Sequence, residues 1–193
     1  MGNNKIIEDN TGKWDKWYEK LPDSPSSFMY GDTVTYKKAA DFLRDCVDVE
    51  DWGCGGGGFL LFRPDAIGVD GSDTKFASKK FINLREYTSD CEAIHIRHVL
   101  EHNYAWYEIL KNAMLSAERK IVITFFIPLN DTTTHEINHN KRIGVDVPDM
   151  SISRSDFMEI VNRYKPYSVV TEKFKTKTVY GEEEIVYITL DDQ

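Results

Sequence analysis

Cysteine is scarce: the 193-residue chain holds three. An odd number without paired spacing offers no disulfide framework and points to reduced thiols in a cytoplasmic setting. Positive charge is short as well, with 24 lysines and arginines against 32 aspartates and glutamates and a net charge of −8. Neutralising phosphates takes a basic face, so nucleic acid is a disfavoured partner, even with a local group of Arg163, Lys165, Lys173, Lys175 and Lys177. No apolar run approaches bilayer length, and the N-terminus lacks a charged-then-apolar signal, so no membrane role is expected. Internal repeats and low-complexity tracts are missing too. What is present suits one globular domain, 41% hydrophobic and 12% aromatic, with ample length for a core.

The stretch that organises the chain is Val47 to Gly58, V-D-V-E-D-W-G-C-G-G-G-G. The β-branched Val47 and Val49 lead to Asp51, five glycines in six positions come next, and Phe59 to Phe62 are apolar. Strand, tight turn and helix start is the natural reading. Gly53, Gly55 and Gly58 carry the spacing G-x-G-x-x-G, which lets backbone approach a ligand where a helix begins. Asp51 selects among ligands. It would repel a dinucleotide's pyrophosphate by roughly several kcal/mol at a few ångströms and intermediate dielectric, but would attract an ammonium or a sulfonium. A second apolar run, Ala66 to Val69, ends in Asp70, an acid placed to accept hydrogen bonds from a ribose. S-adenosylmethionine offers sulfonium, ammonium and ribose together, and is the expected cofactor. The rival for this turn is an NAD(P) oxidoreductase, which should not carry Asp51.

Asp51 to Phe59, D-W-G-C-G-G-G-G-F, resembles motif I of the class I S-adenosylmethionine-dependent methyltransferases, and Ile67 to Ser72, I-G-V-D-G-S, resembles their second motif. His98 to His102 and an apolar strand ending Ile127-Pro128 come in the family's order, so the resemblance spans roughly residues 30 to 190. It implies an α/β fold with a doubly wound, mostly parallel seven-stranded sheet closed by a C-terminal antiparallel hairpin. It implies cofactor contacts from Asp51, Gly53, Gly55, Gly57, Asp70, Gly71 and His98, with Glu86 and Asp90 competing for the adenine amino group. His98, Glu101 and His102, H-x-x-E-H, are similar to the E-x-x-E-H box that holds a divalent ion in quinone-biosynthesis O-methyltransferases and small-RNA 2′-O-methyltransferases. His98 replaces the first acid, and L-E-H is common in methyltransferases without metal, so no metal is expected. The chain lacks the N/D-P-P-Y/F element of exocyclic-amine and glutamine methyltransferases. The expected activity is methyl transfer to a hydroxyl or amine of a small molecule. Methylation of RNA or protein, and a non-catalytic cofactor-binding partner subunit, are the alternatives.

Along the chain, Trp14, Trp17, Tyr18 and Leu21 share one face of a helix, broken by Pro22 and Pro25, in an N-terminal flap (1–30). The bland reading is packing; the sharper one has its aromatics closing the cleft. Asp32 or Thr33 caps a helix over Val34 to Cys46, and Ser72 or Asp73 one over Thr74 to Lys80. Residues 81–88 read as a third strand and Glu92 to Arg97 as a fourth, with His95 a core residue. A helix carries Trp106, Ile109, Leu110, Ala113 and Met114, and Lys120 to Ile127 is a buried parallel strand. Leu129 to Ser151 is a long polar connection, the length of a lid or binding loop. A helix over Phe157 to Tyr164 and two alternating strands around Gly181 complete one domain, 1–193, with 129–152 as its substrate-side loop.

Methyl transfer is an in-line displacement that needs alignment. A hydroxyl acceptor also needs a base, and histidine suits that near neutral pH. His102, His135 and His139 are the candidates, with His102 expected to face the cleft.

Overall fold

The computed structural model describes residues 10–23, 33–141 and 144–190. Asp32 and Pro25, and most of the flap (1–9 and 24–30), lie outside the described residues. The elements are α1 (Asp15–Tyr18), α2 (Thr33–Phe42), β1 (Val49–Trp52), β2 (Ile67–Val69), β3 (Cys91–Arg97), α3 (Trp106–Ser116), β4 (Ala117–Phe125), β5 (His135–Asn140), β6 (Val147–Ser151), α4 (Arg154–Asn162), β7 (Ser168–Lys175) and β8 (Glu182–Thr189).

Among the described residues the main sheet has six strands in the order β2-β1-β3-β4-β8-β7. β2, β1, β3 and β4 run parallel, whereas β8 is antiparallel to β4 and β7 to β8. Both faces are covered, which explains the near-continuous apolar runs of β3 and β4. On one face Trp106, Ile109, Leu110, Ala113 and Met114 of α3 pack with Phe157 and Val161 of α4 in the cluster that holds Ile94, Ile96, Ile121 and Ile123. On the other, Tyr36 and Ala39 of α2, with Leu43, pack on Val49, Ala93, Val122 and Ile185. α4 starts where Ser153 caps it, its side chain accepting from the Asp156 N–H.

Three expectations give way. Residues 81–88 are turns rather than a strand, so the sheet formed by the described residues has six members. Asn83 is responsible: its side chain accepts from the Arg85 N–H at 3.1 Å and its carbonyl from the Glu86 N–H at 2.9 Å, offering the backbone a local turn in place of a ladder. The helix over 74–80 is replaced by a segment laid along β2, with the Ser78 and Lys79 N–H groups both donating to the Gly68 carbonyl. The polar connection 129–151 contains β5 and β6, an antiparallel pair forming its own two-stranded sheet. Pro148 is accommodated in β6, where its carbonyl is turned to His102 Nδ1 at 3.1 Å.

Candidate functional site

The four parallel strands end on one side of the sheet, and there a cavity of about 710 Å³ opens, a size usual for small-molecule sites. Each strand delivers a group from its C-terminal end: the glycine turn after β1, Asp70 after β2, His98 after β3 and Phe126 after β4 all border the cavity. Above them come Trp14 and, from α1, Tyr18, and the β5–β6 hairpin, with Asn138, His139 and Asp149.

Asp70 ties the two turns together. Its carboxylate accepts the Gly55 N–H on Oδ2 and the Ser72 N–H on Oδ1, each at 2.9 Å. Burial pushes its pKa up to about 6; those two N–H bonds hold it down, while Asp51 and Asp15 add to the rise. Gly55 sits at φ +50°, and a Cβ there would lie 3.3 Å from the Tyr18 hydroxyl oxygen, so only glycine leaves this space open. The space beside Gly57 is filled from within, since a Cβ would meet the Phe76 ring at 2.8 Å, and Gly57 does not border the cavity.

The segment 10–23 forms a strap across this end. The Gly12 N–H donates to the Gly71 carbonyl at 2.9 Å and the Trp14 N–H to Ser72 Oγ at 3.1 Å. The Asp73 N–H returns one to Asp15 at 2.8 Å, and Lys75 reaches the Leu21 carbonyl at 3.0 Å. Tyr18 is raised well above the ordinary tyrosine value, first by burial and then by Asp70.

Several candidates stand elsewhere than expected. Asp51 does not border the cavity: it is buried under the turn with its Oδ1 2.6 Å from His95 Nδ1, and His95 stacks on Phe59 at 3.9 Å. The two face each other because they are register partners on β1 and β3. The charge of Asp51 still reaches the site as a field, raising Asp70, Tyr18 and Cys54. Glu86 and Asp90 are exposed and outside the cavity, since the turn at Asn83 presents Ile82, Asn83 and Leu84 to it instead. His135 is exposed at the start of β5 and bonds the Thr133 carbonyl. His139 borders the cavity, yet its ring is held between Glu136 (2.7 Å) and Asp146 (2.5 Å). Those two bonds raise its pKa, and with both ring nitrogens held by carboxylates the residue is a clasp for the hairpin with neither nitrogen turned to a substrate.

His98 and His102 do reach the cavity. His98 adopts φ +56°, unusual for a residue with a side chain, and places Nε2 2.5 Å from Glu183. Glu183 already balances the Arg97 guanidinium at 2.5 Å and accepts from Thr35 at 3.1 Å. Burial therefore prevails, and with Arg97 and His102 it lowers the His98 pKa well below the ordinary value. Arg97 also donates to the Tyr36 hydroxyl at 2.8 Å. Glu101 turns away, accepting the Phe126 N–H at 2.7 Å, and burial pushes it up to about 7. The three side chains of H-x-x-E-H thus serve different partners, and no group of three such ligands converges among the described residues.

No protein-family model matches this chain. No curated protein matches it in sequence. Solved structures do. The magnesium protoporphyrin IX methyltransferase ChlM of Synechocystis, crystallised with S-adenosylmethionine, superposes at a TM-score of 0.59 and 14% identity, over 97% of this chain and 100% of its own. This is the class I methyltransferase fold. A second example of the methyltransferase fold, the 1,6-didemethyltoxoflavin-N1-methyltransferase of Burkholderia thailandensis with S-adenosylhomocysteine bound, gives 0.59 and 14% over 83% of this chain and 80% of that one. The N-terminal domain of EvdMO1, with the same ligand, gives 0.57 and 10% over 88% and 82%. Within the methyltransferase fold, Tyr36, Arg97, Phe126, Asp149 and Glu183 are among the residues at or behind the cavity that the sequence did not single out. The acid run Glu182–Glu184 heads an otherwise apolar strand, and buried Glu183 and Glu184 there were the signal available.

Proposed function

We propose that the protein binds S-adenosylmethionine in this cavity and transfers its methyl group to a hydroxyl or amine of a small molecule. One observation carries the reading: an ionisable carboxylate, Asp70, stands at the cavity wall locked to the glycine turn through the Gly55 N–H. Each Asp70 oxygen accepts a single N–H and retains acceptor capacity for a ribose hydroxyl. The part of the cavity bordered by Gly55 and Gly71 takes the body of the nucleoside, and the part bordered by Ile82, Asn83 and Leu84 the base. Asp51 and Asp15 add negative potential at this end, which favours a cationic ligand over a pyrophosphate.

When bound, the cofactor supplies an electrophilic methyl on a sulfonium whose sulfur leaves neutral. The chain's own part is alignment and exclusion of water: the strap and the β5–β6 hairpin enclose the acceptor between Trp14, Phe126 and Tyr180. Structural neighbours crystallised with S-adenosylmethionine or S-adenosylhomocysteine support the cofactor assignment. The net charge of −8 fits an acceptor other than nucleic acid, and no described helix is long and apolar enough to cross a membrane. Calorimetric titration with S-adenosylhomocysteine and with NAD tests the reading. Saturable binding of the first is expected; binding of NAD with none of S-adenosylhomocysteine would overturn it.

A further inference from the structure

Separate stretches of chain converge on His102. The strap holds its backbone, Asn10 Nδ2 donating to the His102 carbonyl at 2.8 Å. Trp14 and Phe126 pack against the ring at centroid distances of 5.3 and 5.0 Å. From the hairpin, the Pro148 carbonyl lies 3.1 Å from Nδ1, and Asp149 Oδ1 lies 3.2 Å from the same nitrogen. A carbonyl has only lone pairs to offer, so Nδ1 carries the hydrogen. Nε2 is then the basic nitrogen; none of the described residues bonds it, and the ring borders the cavity. Asp149 is itself fixed by Asn138 Nδ2 at 2.8 Å and is 6% exposed. Burial pushes its carboxyl up, but His102 beside it and the bond from Asn138 outweigh that and hold it below the usual aspartate value, so it is ionised at neutral pH.

We propose that His102 is the base that takes the acceptor's proton, and that Asp149 acts through it as a positioning residue. The Pro148 carbonyl sets the tautomer; the Asp149 carboxylate stabilises the imidazolium that forms. This deepens the methyl-transfer reading and rests on it. It also narrows the acceptor to a nucleophile that still carries its proton, a hydroxyl above all. The hydroxyl proton passes to Nε2, the oxygen lone pair bonds the methyl carbon, and the carbon–sulfur electron pair stays on sulfur. One positive charge is lost at sulfur and one appears on the imidazolium beside Asp149, so charge balances. His98 and His139 cannot substitute, because the first faces Glu183 and the second is clasped by two carboxylates.

The first measurement needs no acceptor. In ¹⁵N-labelled protein saturated with S-adenosylhomocysteine at mildly alkaline pH, long-range proton–nitrogen correlations should place the His102 hydrogen on Nδ1; a hydrogen on Nε2 overturns the proposal. The second uses labelled S-adenosylmethionine and a metabolite extract. Asp149→Asn and His102→Gln should each slow transfer by about a hundredfold or more, with S-adenosylhomocysteine affinity kept within about threefold. The double variant should be no slower than His102→Gln alone, since the pair works as a unit. Losses that multiply would give Asp149 an independent structural role and sink the dyad. Wild-type protein that binds no S-adenosylhomocysteine would instead overturn the reading of the cavity, a failure distinct from the dyad's.

Discussion

Replacing Asp70 with alanine separates binding from folding. Two costs of opposite sign meet at this side chain. Its pKa moves from 3.8 to about 6, so holding it ionised in the apoprotein costs about 3 kcal/mol, at 1.36 kcal/mol per unit. Removing it also orphans the Gly55 and Ser72 N–H groups, at about 1–3 kcal/mol each if water cannot reach them. The terms nearly offset, and the apoprotein's melting temperature should move by less than about 5 °C. Binding has no such offset: losing a charged acceptor for the ribose costs about 1.5–3 kcal/mol, or about tenfold to a hundredfold in the S-adenosylhomocysteine dissociation constant. Calorimetry and thermal unfolding with and without ligand measure both. An affinity unchanged within about threefold, in a variant that melts normally, would refute the reasoning. The same carboxyl sets a pH signature. The folded pKa lies above the unfolded one, so its contribution to apoprotein stability falls as pH rises from 3.8 through about 6. Ligand affinity should run the other way, weakening as pH drops through about 6 and the acceptor is protonated.

Neighbouring features give further expectations. Gly55→Val places a β-branched residue at φ +50° with its Cβ against Tyr18, and should abolish S-adenosylhomocysteine binding by calorimetry while the fold persists by circular dichroism. Glu183→Gln leaves the buried Arg97 guanidinium without its counter-charge, and should cost about 3–5 kcal/mol of stability in urea unfolding. The His139 clasp, whose pKa is raised, is complete below the ordinary histidine value and is lost as pH rises through the folded value; hydrogen exchange in β5, corrected for intrinsic rate, should quicken in that direction. His135→Ala, outside the cavity, should leave methyl transfer unchanged in the labelled-cofactor assay.

The elements around the parallel core were legible because their signals are local. The apolar runs of β3 and β4, the helical spacing of Trp106 to Met114 and the serine cap of α4 each declare one structure. The glycine turn and Asp70 were legible for the same reason, being a few residues apart. The partners of these residues were not. Asp51 looked like a ligand-facing acid because sequence does not say that His95 sits beside it in register. Asp149 and Glu183 come from segments 47 and 85 residues away from the histidines they serve, counting from His102 and His98. The partial alternation over 81–88 speaks for a strand and a single asparagine says little against it, yet in the structure the Asn83 side chain turns the backbone.

The strap has a kinetic consequence. Four hydrogen bonds fasten residues 12–21 across the entrance, to Gly71, Ser72, Asp73 and Lys75. At about 0.5–1.5 kcal/mol each they total about 2–6 kcal/mol, which leaves the unfastened form at about 3% of molecules or fewer. A ligand admitted only by that form associates at a rate that levels off as its concentration rises, because opening and not encounter sets the pace. Its apparent affinity is lowered by the same population factor. Once inside, it meets the same four fastenings on the way out, so the time it stays is governed by the strap as much as by the contacts it makes.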